Sequence, residues 1–520
     1  MADTAHPAKP TPTPDPLILA IDVGSSSVRC ALFDGLGGEV EGVAAREPFH
    51  LVMGADGAAE AHPALLFDLV CHCVDTVLAK AGPLAGAIAG VGVCTFVANV
   101  MGLDVNGRPL TRLATYADTR AAPEADALRR DHDEDAAHQR TGCRFHPGYL
   151  PAQLLRLERR EPALFRAVAR WVSFWEFVEL TVFGATSVSP SVASWSGLLD
   201  RRALAWDGPL LDVVGLGPGM FSPLSGPGEA RRGLRAPFAA RWPALRDVPW
   251  FPAVGDGAAA NVGSGCVSPD RIALSLGTTS AMRIVTQGDA PYVAPGLWGY
   301  RVDHARHLSG GALSEGGNVF AWMRGVLGLE GADALAGLAR ALDRMEPDGH
   351  GLTVLPFFSG ERAPGWAGHA RATFHGMSLA TTREELVLAG LEAVAYRLGM
   401  VFDLLAPLAS PAAQVVACGG AVAASPPWMR IIADVLGREV AVAAIPEASA
   451  RGAALLALEN LGAVPDLAAV PVAYREAYRP DPARHAVYRA AMARQAALYG
   501  LLVPQHDAPL PSGGASGAIS

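Results

Sequence analysis

The stretch LAIDVGSSSVRCALF, residues 19–33, returns about half the chain later as ALSLGTTSAMRIV, residues 273–285. Each copy places a glycine and three small hydroxyl residues between two short apolar runs, a pattern typical of a β-hairpin. The glycine lets the backbone approach an anion closely, and the N–H and hydroxyl groups of the turn can donate to phosphate oxygens. The repeat therefore predicts two matching lobes, each with a phosphate-binding loop, and a nucleotide held between them.

One position differs between the copies in a chemically important way. Asp22 in the first copy corresponds to Ser275 in the second. A carboxylate beside a phosphate loop would repel the anion unless a cation lay between them, so Asp22 predicts a Mg²⁺ ion. The alternative is a pair of ordinary hairpins in a large α/β protein. The presence of both loops, one at the head of each half, favours the phosphate site.

Composition narrows the class of protein. A chain of 520 residues suits two domains, and with half of its residues apolar it can bury a sizeable core in each. A net charge of −9 without a basic run argues against a nucleic-acid partner. Lysine occurs only at Lys9 and Lys80. This excludes a Walker A loop and a protein-kinase site, because both need a lysine at the phosphates.

Cysteine usage and the termini indicate the compartment. The seven cysteines are odd in number and scattered, which favours reduced thiols in a cytoplasm. Residues 1–16 and 504–520 are rich in Pro, Thr, Gly and Ser and are predicted to be disordered tails, the first without a signal-peptide pattern. No apolar run has membrane-spanning length, so a soluble protein is expected.

Strands alternate with helices in both halves, which predicts an α/β architecture. We expect one lobe over residues 17–262 and a second over residues 263–503, with the boundary near Val262. Predicted strands cover residues 87–94, 250–254, 414–417 and 440–444, and predicted helices cover residues 64–81, 317–326, 383–405, 427–436 and 450–461.

Further segments resemble the FGGY carbohydrate kinases, a branch of the actin, hexokinase and Hsp70 ATPase fold. They are YADTR at 116–120, GDG at 255–257, GERAP at 360–364 and CGG at 418–420. Within the family, LPFFSGERAP at 355–364 and GGA at 310–312 are most similar to gluconokinases. The resemblance covers residues 17–503 and implies two actin-like, ribonuclease H-like lobes. It also implies that ATP, Mg²⁺ and a sugar bind in the cleft between them.

The resemblance assigns a role to several residues. Asp256 would be the general base that takes the proton from the attacking hydroxyl, although an aspartate here could also serve as a helix N-cap. Asp118 and Arg120 would face the sugar hydroxyls, with a surface salt bridge as the alternative. The nucleotide would contact Gly24, Ser25, Ser26, Ser27, Gly277, Thr278, Thr279, Gly317, Gly419 and Gly420, and the substrate would contact Thr95, Asp118, Arg120, His146 and Arg362.

The chain departs from the usual pattern of the family at positions that bear on the substrate. Tyr116 replaces a tryptophan, Ala321 and Arg430 replace glutamines, Ser189 replaces an aspartate and Gln153 a lysine. Glycines such as Gly317 and Gly419 also occur as ordinary helix and turn punctuation.

The expected function is phosphorylation of D-gluconate to 6-phosphogluconate by a soluble cytoplasmic kinase, with a homodimer as the assembly considered. A gluconate carboxylate needs cationic donors, and with lysine nearly absent Arg120 and Arg362 are the favoured candidates, with His146 weaker. The alternatives are a pentulose kinase for xylulose or ribulose, and an actin-fold ATP-binding module without sugar kinase activity.

Overall fold

The computed structural model describes residues 16–420 and 425–503, so nearly all of both predicted tails lies outside the described residues. The strands of the first large sheet are β1 Leu17–Val23, β2 Ser27–Phe33, β3 Glu39–Pro48, β4 Ile88–Thr95 and β5 Val254–Gly255. Their order across the sheet is β5-β4-β1-β2-β3. β1 pairs antiparallel with β2 and parallel with β4, which confirms the first predicted hairpin.

The second large sheet repeats this arrangement. Its strands are β6 Arg271–Leu276, β7 Ser280–Gln287, β8 Trp298–Arg301, β9 Arg306–Leu313, β10 Gln414–Cys418, β11 Val440–Ala443 and β12 Tyr474–Tyr478. The order across the sheet is β8-β9-β7-β6-β10-β11-β12. β6 pairs antiparallel with β7 and parallel with β10, as β1 does with β2 and β4. The sequence repeat is therefore a structural repeat, and the predicted α/β class is confirmed.

Helices connect and cover the strands. They are α1 Pro63–Ala81, α2 Ala122–Asp131, α3 Glu134–Thr141, α4 Leu150–Arg160, α5 Pro162–Ala167, α6 Phe174–Phe183, α7 Pro190–Ser194, α8 Gly208–Val213, α9 Ala236–Arg241, α10 Asp256–Gly263, α11 Gly317–Val326, α12 Ala332–Leu342, α13 Arg383–Leu405, α14 Pro426–Leu436, α15 Ala448–Asn460 and α16 Pro482–Leu502. Short strands form one three-stranded sheet, of Val52–Met53, Ala59–Ala61 and Leu113–Ala114. Three strand pairs are Met101–Leu103 with Arg170–Val172, Leu199–Asp200 with Ala205–Trp206, and Thr353–Leu355 with Thr373–His375.

The cores form where elements cover both faces of the central strands. β1 reads as an almost continuous apolar run because it is buried from Ile18 to Ile21, as expected for a strand covered on both sides. In the second lobe α13 begins with a capping box, in which Thr382 and Glu385 satisfy each other's backbone N–H groups. Most of that helix is buried, so it forms the centre of the second core.

The two lobes contact each other through α10 and α15. A Cβ atom at Gly452 would lie 1.8 Å from the carbonyl oxygen of Ala259, and one at Gly263 would lie 1.8 Å from that of Ala448. The two backbones therefore touch, and only glycine fits at either crossing position. Val262, the predicted boundary, lies in the last turn of α10 and so within this contact.

Several predicted elements need correction. The strand expected over residues 250–254 pairs as a ladder only at Val254–Gly255, because Trp250 makes only isolated bridges. The helix expected over residues 450–461, the last predicted element, is followed by β12 and α16. The helices predicted at 317–326 and 383–405 have these same bounds in the structure.

The seven cysteines all lie in the described part of the chain and are free thiols, in agreement with the expected absence of a disulfide framework. None of the helices that the structure describes is both long enough and apolar enough to cross a bilayer.

Candidate active site

The carboxyl ends of three parallel strands meet at one edge of the first sheet. β1 places Asp22 beside Cys94 of β4, and β4 places Thr95 beside Gly255 of β5. Helix α10 begins at the next residue, Asp256. Open α/β sheets bind their ligands at this kind of edge. The topology therefore brings Asp22 and Asp256 together, although they lie far apart in the sequence.

Asp256 has an environment suited to a proton acceptor. Its Oδ1 accepts a hydrogen bond from the N–H of Gly257 at 2.7 Å. Burial raises the pKa of Asp256 above its ordinary value, while this N–H and the charge of Arg283 oppose the shift. A carboxylate with a raised pKa is a stronger base. Gly255 occupies the N-cap position of α10, so the alternative role of Asp256 as N-cap is wrong.

Asp22 lies close enough to Asp256 for the two charges to interact. Burial raises the pKa of Asp22 to about 6, the hydrogen bond with the Cys94 thiol opposes this shift, and the charge of Asp256 adds to it. The cross-strand neighbour Arg29 is held by Glu39 at 2.7 Å. Carboxylate oxygens are the donors that Mg²⁺ prefers, and two repelling carboxylates favour a cation near them. The donor set at Asp22 therefore fits the expected Mg²⁺ ligand.

The two glycine-led loops, residues 24–27 and 277–279, are closed by their own backbones. The N–H of Gly24 donates to the carbonyl of Ser27 at 3.0 Å, and the N–H of Gly277 donates to that of Thr279 at 2.9 Å. Both turns therefore keep their hydroxyl groups near the surface. The exposed or half-buried residues at the two tips are Ser25, Ser26, Thr278 and Thr279.

A cavity of about 760 Å³ lies beside the second loop. Four residues expected at the nucleotide line it, namely Gly277, Thr278, Gly317 and Gly420. Its lining also includes the apolar side chains of Leu335, Leu338, Leu342 and Trp428. A cavity of this size with apolar side chains and a few polar groups is typical of a small-molecule site.

Only glycine fits at position 419, next to the cavity residue Gly420. Gly419 has a φ of 114°, and a Cβ atom there would lie 2.2 Å from the carbonyl oxygen of Leu276. Of the two positions where relatives have glutamine, Ala321 lines the cavity, whereas Arg430 forms a surface ion pair with Asp343.

Arg362 is half-buried and has no ion-pair partner among the described residues. Its Nη2 donates to the carbonyl oxygen of Leu313 at 2.6 Å. The neighbouring Glu361 is ion-paired with Arg397 instead, so the adjacent pair does not neutralise itself. Burial raises the pKa of the nearby Glu315 to about 8, so this carboxyl carries less negative charge at neutral pH than an ordinary glutamate does. The positive charge of Arg362 therefore remains available to an anionic ligand.

His146 lies near Arg362 and is neutral. Burial lowers its pKa to about 3, and the charges of Arg129 and Arg362 add to this shift. Its Nδ1 accepts a hydrogen bond from the N–H of Gly148 at 3.1 Å, which leaves the proton on Nε2. The residue can therefore donate a hydrogen bond to a substrate but cannot supply the positive charge considered for it.

Asp118 and Arg120 form an ion pair, as in the alternative interpretation, but the pair is largely buried and does not lie on the surface. The Nη2 of Arg120 donates to Asp118 at 2.6 Å and also contacts Glu60. Both residues line a pocket of about 220 Å³ together with Gln153. Two carboxylates compensate the charge of Arg120.

The hydroxyl of Thr95, which was expected to contact the substrate, is buried and already hydrogen-bonded. It donates to a backbone carbonyl at 3.2 Å.

Sequence reasoning missed Arg283. This arginine interacts electrostatically with Asp256, and it is the only charged residue of the second repeat copy. That isolated charge within an otherwise neutral hairpin was a signal that could have identified it.

Two family profiles match nearly the whole of the two lobes. The N-terminal domain of the FGGY family of carbohydrate kinases matches residues 17–263, and the C-terminal domain of the same family matches residues 272–460. The chain belongs to the FGGY family of carbohydrate kinases. It is therefore a sugar kinase, a phosphotransferase that acts on a small-molecule substrate, with the two-domain actin-like fold.

Individual FGGY kinases resemble it over most of its length. The gluconokinase of Bacillus subtilis (strain 168) is 26% identical over 477 residues, which cover 89% of this chain and 91% of that protein. The glycerol kinase of Thermus brockianus is 29% identical over 491 residues, covering 91% and 96%. The crystal structure of xylulose kinase from Rhodospirillum rubrum has a TM-score of 0.84 at 26% identity and covers 94% and 99%. The names of these relatives give three different substrates, so similarity alone does not identify the sugar.

Proposed function

We propose that this FGGY kinase transfers the γ-phosphoryl group of ATP to a primary hydroxyl of a small sugar acid, converting D-gluconate to 6-phosphogluconate. The observation that supports a sugar acid is the charge of Arg362. This guanidinium is half-buried, forms no ion pair in the described chain, and lies near Glu315, whose pKa is raised to about 8 by burial. A substrate carboxylate would complete its hydrogen bonds, and charge-assisted bonds of this kind are among the strongest.

In this proposal the residues of the first lobe act on the acceptor. Asp256 accepts the proton of the attacking hydroxyl, and its raised pKa makes it a better base for this purpose. His146 donates through Nε2 to a sugar hydroxyl, and Asp118 and Arg120 form a charge-compensated polar wall that suits neutral hydroxyl groups. Closure of the lobes would exclude water from the reacting phosphate.

The residues of the two loops and the cavity beside residues 277–279 would hold the nucleotide. Amide and hydroxyl groups of both loops would donate to phosphate oxygens, and the apolar side chains that include Trp428 would contact the base. Asp22 would hold Mg²⁺, which supplies positive charge to the phosphates when bound.

The Asp22→Asn variant should need about tenfold or more Mg²⁺ for its half-maximal rate, because an amide oxygen is a weaker ligand than a carboxylate. The measurement is the rate against Mg²⁺ at saturating ATP, and excess Mg²⁺ should restore part of the loss. Asp104→Asn, at an exposed turn of the same lobe, is the control. An unchanged Mg²⁺ dependence would show that Asp22 has only a structural role.

A pentulose kinase is the second candidate. The charge of Arg120 is compensated by Asp118 and Glu60, which suits a neutral sugar at that wall. Similarity to a xylulose kinase at 26% identity supports the same candidate.

The proposal is tested with kcat/KM for gluconate, xylulose, ribulose and glycerol. We expect gluconate to have the highest value, and the Arg362→Ala variant to lose about thirtyfold with gluconate and less than about threefold with the neutral sugars. The loss corresponds to about 2 kcal/mol for one carboxylate contact. Arg120→Ala is the matched control, and its loss should be similar for all four sugars. A neutral ketose with the highest kcat/KM in the wild type would favour the pentulose kinase.

A further inference from the structure

Arg283 is held in the cleft with one unsatisfied donor. It lies on β7, where its backbone pairs with Ala273 of β6 and Gly310 of β9. Its Nη1 donates to the hydroxyl of Ser275 at 2.9 Å. Its Nε is buried and has no hydrogen-bond partner among the described residues. A buried donor without a partner costs free energy, so this atom indicates a ligand.

None of the described carboxylates lies at ion-pair distance from Arg283. Its Nε lies 3.2 Å from the position that a Cβ atom would take at Gly257, the residue after Asp256. Burial lowers the pKa of Arg283, the charge of Asp256 opposes this, and the charge of Arg362 adds to it. The like charges of Arg283 and Arg362 oppose each other, and the carboxylate of Asp256 interacts with Arg283 without forming an ion pair among the described residues. An anion is the ligand that would complete such an arrangement.

The repeat explains why the anion should be a phosphate. Ser275 occupies the position that Asp22 has in the first copy, and Arg283 binds this serine. The second loop begins two residues further on, at Gly277. Arg283 thus lies between that phosphate loop and the residue that follows Asp256. A phosphoryl group that passes from a nucleotide at the loop to a hydroxyl at Asp256 must cross this space.

We propose that the guanidinium of Arg283 binds the phosphoryl group during its transfer. This inference rests on the proposed function, since it takes Asp256 as the proton acceptor. In the transfer, the acceptor oxygen forms a bond to the γ-phosphorus, and the bond from that phosphorus to the bridging oxygen breaks. ADP leaves with the electron pair of the broken bond, and the hydroxyl proton passes to the Asp256 carboxylate. Arg283 then stabilises the negative charge on the three equatorial oxygens. Lys80, the only lysine outside the N-terminal tail, donates to a backbone carbonyl of the first lobe.

The competing role for Arg283 is recognition of the substrate carboxylate, the role given above to Arg362. The two roles predict different effects of an Arg283 substitution on the rate with a neutral acceptor. A phosphoryl contact is needed with every acceptor, whereas a carboxylate contact is needed only with a sugar acid.

The test compares Arg283→Leu and Arg283→Lys with the wild type, using whichever sugar gives the highest rate together with one of opposite charge type. We expect kcat of Arg283→Leu to fall about a hundredfold or more with both acceptors, with the affinity for MgATP changed by less than about threefold. Binding of MgADP with aluminium fluoride, which mimics the transferred group, should weaken by a similar factor. Arg283→Lys should recover part of each loss. Arg271→Leu, on the adjacent strand, is the control for loss of a positive charge in this sheet.

Three results would overturn the proposal. A loss confined to gluconate would assign Arg283 to the carboxylate. Unchanged affinity for MgADP with aluminium fluoride would exclude contact with the transferred group. A lower midpoint of urea unfolding with an unchanged kcat would make the residue structural. If gluconate is not a substrate, the proposed function fails, but the comparison of Arg283 variants proceeds with the neutral sugar and keeps its meaning.

Discussion

The Asp256→Asn variant should turn over at least about a hundredfold more slowly than the wild type while binding MgATP with nearly unchanged affinity. The carboxylate acts on the acceptor hydroxyl, and removal of a positioned general base typically costs 10²–10⁴-fold in rate. Asparagine keeps the shape of the side chain and can still accept the hydrogen bond from Gly257. The measurements are kcat by coupled ADP release and MgATP affinity by calorimetry.

Stability separates this prediction from a structural role of Asp256. Burial raises the pKa of Asp256, so the folded protein disfavours its charged form at neutral pH. Removal of that charge should leave the free energy of unfolding unchanged or slightly higher. Asp333→Asn is the matched control, because Asp333 lies in the first turn of α12 on the surface. If Asp256→Asn kept a near wild-type rate, the assignment of the general base would fail.

Sequence alone predicted the elements whose patterns are local. The hairpins at both loops follow from a glycine between two apolar runs, and α11 and α13 follow from their helical spacing. The strand β9 was missed because HLSGGAL has neither alternation nor β-branched residues. Its glycines are set by tertiary packing, since a Cβ at Gly310 would lie 2.5 Å from the ring of Trp298. Helix α16 was missed although its buried residues Tyr488, Ala491, Met492 and Gln495 have helical spacing.

The site was predictable to a similar extent. Motif positions indicated Asp22 and Asp256, and parallel pairing of β1, β4 and β5 brings them to one edge. The ion-pair partners of the charged residues could not be predicted, because these partners are distant in sequence. Glu361 and Arg362 are neighbours in the sequence and could have paired with each other, whereas the structure pairs Glu361 with Arg397 of α13.

This distant pairing predicts the largest effect on stability. Glu361 and Arg397 are each 3% exposed. Glu361 also accepts hydrogen bonds from the hydroxyl of Tyr499 at 2.6 Å and from the N–H of Gly365 at 3.1 Å. The carboxylate thus joins three separate parts of the second lobe, namely the 360–365 loop, α13 and α16. Arg397 has no other carboxylate partner in the described chain, and its remaining contacts are with a methionine sulfur and two aromatic rings.

Glu361→Ala should lower the free energy of unfolding by about 3–5 kcal/mol, because it leaves the Arg397 charge buried and uncompensated. Urea denaturation followed by tryptophan fluorescence measures this loss. Asp403→Ala, which breaks the exposed pair with Arg489, is the control and should cost less than about 1 kcal/mol.

The double variant Glu361→Leu with Arg397→Met should regain most of the loss, because it removes both charges and fills their volume with apolar side chains. If Glu361→Ala were no more costly than Asp403→Ala, water would have to reach Arg397 in the folded protein. The ion pair with Arg397 would then not fix the 360–365 loop, and Glu361 would be able to compensate the charge of Arg362 in place of a substrate carboxylate.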